Sequence, residues 1–364
     1  MRLTIDLGAY SRNLQVLKAR LAPSELMAVV KDDAYGHGID RIVPEALAQG
    51  ITRFAVLDIP TGLRVRALVP RNVQLFAWLF DHSADFATAI DAGIDLGVSN
   101  LLVLSTIAEC GAATPARIHL KIDTVLHRNG ASVQDWPALV AEAKRLQDLG
   151  LIEVVGVWSH IGEASDEEDA KSRRIFENAY NLALGAGLNI VERHLAASAA
   201  SFDRPDFRYS FARVGGFTYG VAPGDGIGPA QLGLEAVMSA RATVVEISRD
   251  AQTGAPVATI DAGFVDGIPD WIVRPGRVLN LPQPGFEVLV RGHRAPVLAI
   301  NAQTSAIDVS AIEGVTVGDE VTLFGSHFVG APVLQEIADA MGTVGEEIVV
   351  RVGPRSPREY LAND

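Results

Sequence analysis

Eight short apolar runs recur through the first two thirds of the chain, at residues 27–30, 54–57, 73–78, 96–98, 118–122, 154–158, 194–197 and 211–214. Each is strand-length and is followed by a helix or a helix-sized gap, so each reads as a buried strand. The intervening segments are amphipathic: 11–21 places Leu14, Leu17 and Leu21 on one face, and 136–149 and 166–184 repeat the pattern. The last of these opens on Asp166-Glu167-Glu168-Asp169, which suits a helix N-terminus because the peptide dipoles leave it positive. A strand followed by a helix, eight times over, predicts a (β/α)8 barrel.

The rhythm changes after Gly224-Asp225-Gly226-Ile227-Gly228-Pro229. That stretch lacks the dinucleotide-loop spacing and reads as a turn-rich linker. Beyond it, runs at 241–247, 257–260, 277–281, 286–290, 295–300 and 320–323 alternate with Gly and Pro turns, the pattern of an all-β domain. The expected architecture is therefore α/β plus β: an N-terminal TIM-like (β/α)8 barrel over 1–232 and a C-terminal mainly-β domain over 233–364. A chain of 364 residues is long enough for two such cores. A net charge of −13 argues against a nucleic-acid footprint, and no apolar run approaches the roughly 20 residues of a membrane span. Cys110 is the only cysteine, which excludes an intramolecular disulfide and any multi-cysteine zinc site. With no secretory features in Met1-Arg2-Leu3-Thr4-Ile5-Asp6, the expectation is a cytoplasmic protein with no metal, nucleic-acid or membrane partner.

Lys31 directly follows the apolar run 26–30, at what would be the C-terminal end of a barrel strand, where barrel enzymes place their sites. Partial burial disfavours an ammonium and prepares the amine to condense with a carbonyl. Tyr35 then offers a hydroxyl, and Gly36-His37-Gly38 lets the backbone turn tightly around a ligand. A lysine alone in this position is equally a snorkelling residue ahead of an ordinary turn.

The full string Val30-Lys31-Asp32-Asp33-Ala34-Tyr35-Gly36-His37-Gly38 resembles the pyridoxal-phosphate lysine signature of the alanine racemase family. The resemblance continues in register through Leu3-Thr4-Ile5-Asp6-Leu7, His119-Leu120-Lys121-Ile122-Asp123-Thr124, Ser159-His160 and His194-Leu195-Ala196-Ala197-Ser198. Arg213-Val214-Gly215, Tyr219-Gly220 and Gly263-Phe264-Val265-Asp266-Gly267 extend it into the second domain. It implies pyridoxal 5'-phosphate as cofactor, carried by Lys31 as a Schiff base. Tyr35, Ser198 and the amides of Gly215 and Gly216 would cradle the phosphate, with Glu346 at the position of a further phosphate-binding tyrosine. Arg213, backed by His194, would face the pyridine nitrogen; a guanidinium does not readily protonate the ring, which limits side reactions such as transamination. Arg128 would bind the substrate carboxylate, with Lys121 at a position often carbamylated to hold that arginine. A symmetric homodimer is implied, each site completed by the partner's β domain. Taken singly, these residues have plainer readings: a surface ion pair for Arg128, helix-start packing for Ser198, a solvated strand face for Lys121.

The pattern breaks at the chemistry. The family's second base is a tyrosine, and here that position is Phe264, which keeps the ring but has no proton to exchange. Ala302-Gln303 stands where the family has Met-Asp beside the substrate carboxylate, and Ala197 and Val125-Leu126-His127 depart as well. His160 remains, near the cofactor and free to act as the second base directly or through water, or simply to fill space. Three functions follow as alternatives. The first is an amino-acid racemase or epimerase with Lys31 as base. The second is a one-base lyase, aldolase or decarboxylase on a D-amino acid, and the third a cofactor-binding pseudoenzyme. The metal-dependent aldolase and dehydratase relatives are disfavoured because His293 and His327 stand alone. The departures at Ala302, Gln303 and Glu346 point toward a substrate larger or more cationic than alanine.

Overall fold

The computed structural model describes residues 1–163, 165–222, 228–270 and 286–362. The linker reading at 224–229 and the expected strand at 277–281 fall wholly or largely outside the described residues. Contacts divide the chain into two compact units. One comprises Leu17–Asp33 and Ile39–Gly215; the other comprises Met1–Val16, Ala34–Gly38 and Gly216–Asp364.

After β1 (Arg2–Asp6), the chain lays down β2 (Glu25–Val29), β3 (Arg53–Val56), β4 (Gln74–Ala77) and β5 (Ile94–Val98). It continues with β6 (Ala116–Lys121), β7 (Ile152–Trp158), β8 (Glu192–His194) and β9 (Phe211–Val214). Strands β2 to β9 form one eight-stranded parallel sheet in the order β8-β7-β6-β5-β4-β3-β2-β9. Its ends meet through Ser210 N donating to Arg193 O at 3.0 Å and Arg213 N to Ala196 O at 3.2 Å, so the barrel is nearly closed. Seven of these strands overlap the apolar runs by three residues or more, while β8 ends at His194, where the run 194–197 begins. Their side chains are buried almost throughout because helices cover the outside and packed residues fill the inside. The helices Leu7–Leu21, Trp136–Asp148 and Asp166–Gly185 occupy the three amphipathic segments. The acidic run does begin the last helix, capped by Glu168 N donating to Ser165 Oγ.

The β domain contains β10 (Met238–Arg249), β11 (Pro256–Ile260), β12 (Glu287–Val290), β13 (His293–Ile300), β14 (Ser305–Asp308), β15 (Glu320–Phe324) and β16 (Arg358–Leu361). Strands β10, β11, β14, β13, β12 and β15 return to β10, leaving no open edge within that ring. β1 pairs antiparallel with β10 and parallel with β16, burying Leu3 and Ile5 fully. Being outside the barrel sheet, β1 was invisible to a count of βα repeats. No helix of the described residues is long and apolar enough to cross a membrane.

The segment after β2 has unusual backbone geometry. Asp32, Asp33, Ala34 and Tyr35 all lie in the left-handed region, with φ of 51–56°, making one left-handed helical turn. Each such non-glycine residue costs roughly 1–2 kcal/mol, so the turn stores about 4–8 kcal/mol that surrounding contacts must offset. Asp33 Oδ1 accepts from Ile39 N and Arg64. Further along, the His37 ring is fully buried, its Nδ1 2.9 Å from Tyr35 O, and it stacks on Tyr219 at 4.5 Å. Tyr35 packs on Tyr219 as well, at 5.0 Å, and Tyr360 Oη donates to His37 O. Gly36 (φ 75°) follows, and a Cβ there would meet Val349 O at 2.5 Å. Gly36→Ala should therefore lower the unfolding free energy by about 3 kcal/mol, read from the denaturant midpoint.

Candidate active site

Within the barrel unit, the sequence-predicted residues cluster at strand C-termini. Lys31 follows β2, where Val30 N still donates to Ala55 O of β3. Lys121 ends β6, and Arg128 lies in the loop after it. Ser159 and His160 follow β7, Ser198 follows β8, and Arg213 is on β9 with Gly215 just beyond. Only backbone direction was needed to bring them together.

The loop carrying Arg128 is tied down at its ends. Asp123 N donates to Ala131 O and Ala131 N to Lys121 O. Gly130 (φ 132°) is required there, since a Cβ would lie 2.6 Å from Asp123 N. Asp123 also accepts from His127 N and pairs with the His127 ring. A buried ladder of Ser172, Thr124 and Ser159 hydroxyls ends on Ile122 O. Arg128 itself is exposed at the tip.

Trp158 forms an aromatic floor between two cations: Lys121 Nζ lies 4.4 Å and Arg213 Cζ 5.0 Å from its ring. The Arg213 guanidinium is buried and donates to Ser159 O at 2.7 Å and to His194 Nδ1 at 2.7 Å. Burial pulls its pKa down to about 9, partly countered by Glu163, so it is still a cation at neutral pH. Burial, with Arg213 and Arg128 nearby, lowers Lys121 to about 7. His160 is pushed well below the usual imidazole range by burial and by Arg213, Arg128, Lys121 and Lys31. Burial first, and then the positive charge nearby, keep that imidazole neutral. Such a pocket selects anions.

Lys121 supplies a pH test. Its pKa is lower folded than unfolded, so the unfolded chain binds more protons between pH 7 and 10, and stability rises with pH across that window. With a folded pKa of about 7, the unmodified amine should add about 2 kcal/mol between pH 7 and 9. Unfolding in carbon-dioxide-free buffer should show that rise in the wild type, and Lys121→Met should lack it.

At the cofactor-phosphate positions, Gly215 N donates to Ser198 Oγ at 3.3 Å. In the other unit, the Glu346 carboxylate faces Gly216, and a Gly216 Cβ would lie 2.7 Å from Glu346 Oε1. Phe264 and Ala302 are also neighbours: Phe264 N donates to Asn301 O at 2.9 Å and Val265 N to Ala302 O at 3.0 Å. Gly263 permits this approach, since a Cβ would lie 2.5 Å from Ala302 O. The Phe264 ring is half exposed, at 49%.

Sequence reasoning gave no role to His119 or Asp95, which the structure connects to Arg213 through His194. One signal was available: His119 and Lys121 are two apart on a strand and so share a face.

The fit to pyridoxal phosphate is specific in this barrel. A lysine at a strand end, a buried guanidinium held by an imidazole, and a serine beside consecutive glycines supply the donor types that an aldehyde, a pyridine nitrogen and a phosphate require. The family model for the alanine racemase N-terminal domain matches residues 5–223, and that for the C-terminal domain matches 245–360. An alanine racemase of Thermobifida fusca is 35% identical over 98% of this chain and 96% of its own length. One from Salinispora tropica is also 35% identical, over 98% and 97%. The crystal structure of alanine racemase from Corynebacterium glutamicum superposes with a TM-score of 0.86 at 28% identity, covering 99% of both chains. Alanine racemase from Streptomyces coelicolor gives 0.89 at 31% identity, covering 99% of this chain and 97% of that one. The chain belongs to the alanine racemase family of pyridoxal-phosphate-dependent isomerases.

Proposed function

We propose that this protein interconverts the enantiomers of an amino acid, using Lys31 on one face of the α-carbon and His160, directly or through one water, on the other. The placement of Lys31, Lys121, Ser198 and Arg213 at the C-terminal ends of the barrel strands, in a chain of the alanine racemase family, carries the reading. The bound cofactor supplies an electron sink that acidifies the α-C–H. Lys31 anchors the cofactor and moves the proton on its own face. With the cofactor bound, Arg213 would face its pyridine nitrogen, and Ser198, Gly215, Gly216 and Tyr35 would hold its phosphate. Arg128 takes the substrate carboxylate in a two-pronged hydrogen bond, which orients the α-carbon.

Burial and neighbouring cations keep His160 unprotonated and make it a weak base, so in this role it holds the proton only transiently, directly or through one water, before returning it. Phe264 replaces the tyrosine of the family at that position and leaves an apolar wall. Its half-exposed ring beside exposed Val265 supports a homodimer in which this turn completes the partner's site. A single, partly exposed Cys110 suits a reducing cytoplasm. Incubating the loaded enzyme with each enantiomer of a panel of amino acids, followed by chiral chromatography, tests the reading. Interconversion from both directions is the expected result, and none with any amino acid would overturn it.

A further inference from the structure

A chain of buried polar side chains runs through the barrel from Arg213 toward its N-terminal end. Arg213 lies 2.7 Å from His194 Nδ1, and His194 Nε2 lies 3.0 Å from His119 Nδ1. His119 Nε2 then faces Asp95 Oδ2 at 3.5 Å, with Glu192 Oε2 at 3.7 Å. Both imidazoles are fully buried. A guanidinium only donates, so His194 Nδ1 must accept and its proton sits on Nε2. That proton requires His119 Nδ1 to accept, which places the His119 proton on Nε2, facing the carboxylates. One cation and two carboxylates thus determine both tautomers.

The far end is built as firmly. Asp95 accepts from Arg117 Nε at 2.9 Å and from Gln74 Nε2 at 2.8 Å, and Arg53 pairs with Glu192 at 2.8 Å. Two guanidiniums and an amide therefore take up carboxylate oxygens that could otherwise have gathered a metal ion around Asp95, His119 and Glu192. Burial pushes the Asp95 carboxyl up, but the hydrogen bonds from His119 and Arg117 pull it back below its usual range. Gly156 makes room for the junction: a Cβ there would lie 2.1 Å from His119 Nδ1, and the β6–β7 register shifts between Ile118 and His119.

We propose that Asp95 and His119 are positioning residues for Arg213, acting through His194 to hold the guanidinium in the orientation it presents to the pyridine nitrogen. This rests on the reading of Arg213 given above. A guanidinium so held keeps the ring nitrogen unprotonated, and loosening it raises the share of turnovers lost to half-transamination. The effect is transmitted by hydrogen bonds in series, so removing Asp95 after His119 has gone should do nothing more.

The test uses the holoenzyme with nitrogen-15 histidine and no substrate, so it does not depend on racemisation. His194 should carry its proton on Nε2 and leave Nδ1 to accept from Arg213, and a His194 proton on Nδ1 would overturn the proposal. In Asp95→Asn the His194 nitrogen signals and the absorbance of the bound cofactor should both shift. Neither moving in a folded variant would contradict it. Turnovers per half-transamination event should fall about tenfold in Asp95→Asn and in His119→Phe, and the double variant should match His119→Phe alone. Additive losses would show two independent packing effects instead. If His119→Phe does not fold, Asp95→Asn still decides. If the tautomers are as expected but no amino acid racemises, the functional reading fails and the relay stands.

Discussion

Lys31→Ala is expected to abolish the visible absorbance of the loaded protein and to lower racemisation by at least about 10³-fold. The variant loses two roles at once, the covalent anchor and one of the two proton-exchanging groups, and acid–base help alone is typically worth 10²–10⁴. Its fold should survive. Lys31 keeps about a third of its side chain exposed, and its ion pair with Asp32, at 3.9 Å, is also partly exposed. Ion pairs of that kind contribute about 0–1 kcal/mol, so the unfolding midpoint should barely move. Absorbance unchanged in a folded Lys31→Ala would contradict the assignment of the cofactor anchor.

Phe264→Tyr is the second large effect, and its direction is a gain. Within one protomer the phenyl ring is half exposed on a short turn, so a hydroxyl there adds no polar group to the protomer's own core. It would restore to that face a group able to exchange a proton, worth up to about 10²–10⁴ in kcat. The gain should appear in kcat rather than KM, because the hydroxyl acts on proton transfer and not on carboxylate binding. No gain in either direction of the reaction would mean that Phe264 does not stand at the second-base position, or that His160 already performs that step fully.

How much of this was legible in the sequence differs between the units. The barrel strands were, because each is buried on both faces and reads as an unbroken apolar run. β1 was not, since Leu3 and Ile5 are buried by β10, about 235 positions away in the chain, and no local pattern shows that. β14 and β16 were missed for the same reason, being short strands whose burial is decided by distant partners. Lys31, Arg213 and Ser198 stood out in the sequence because each sits at or just beyond the end of an apolar strand run, whereas Arg128, in an exposed loop seven residues past β6, stood out only through the order of the motifs around it. Asp95 and Glu192 did not, since an acidic residue near the start of a strand looks like a solvated edge until the barrel closes around it. Likewise nothing in the string from Lys31 to Tyr35 announces a left-handed turn. Asp tolerates that region, but Ala and Tyr do not favour it, and the conformation follows from what packs around Tyr219.

The central claim is proton exchange on both faces of the α-carbon. It is tested most directly by running the loaded wild-type enzyme in deuterium oxide from each pure enantiomer and reading α-deuterium in substrate and product by mass spectrometry. The account predicts α-deuterium from both starting enantiomers, with the opposite enantiomer appearing in each case. Label entering from one enantiomer alone, with no inversion, would contradict it and leave Lys31 as the only base.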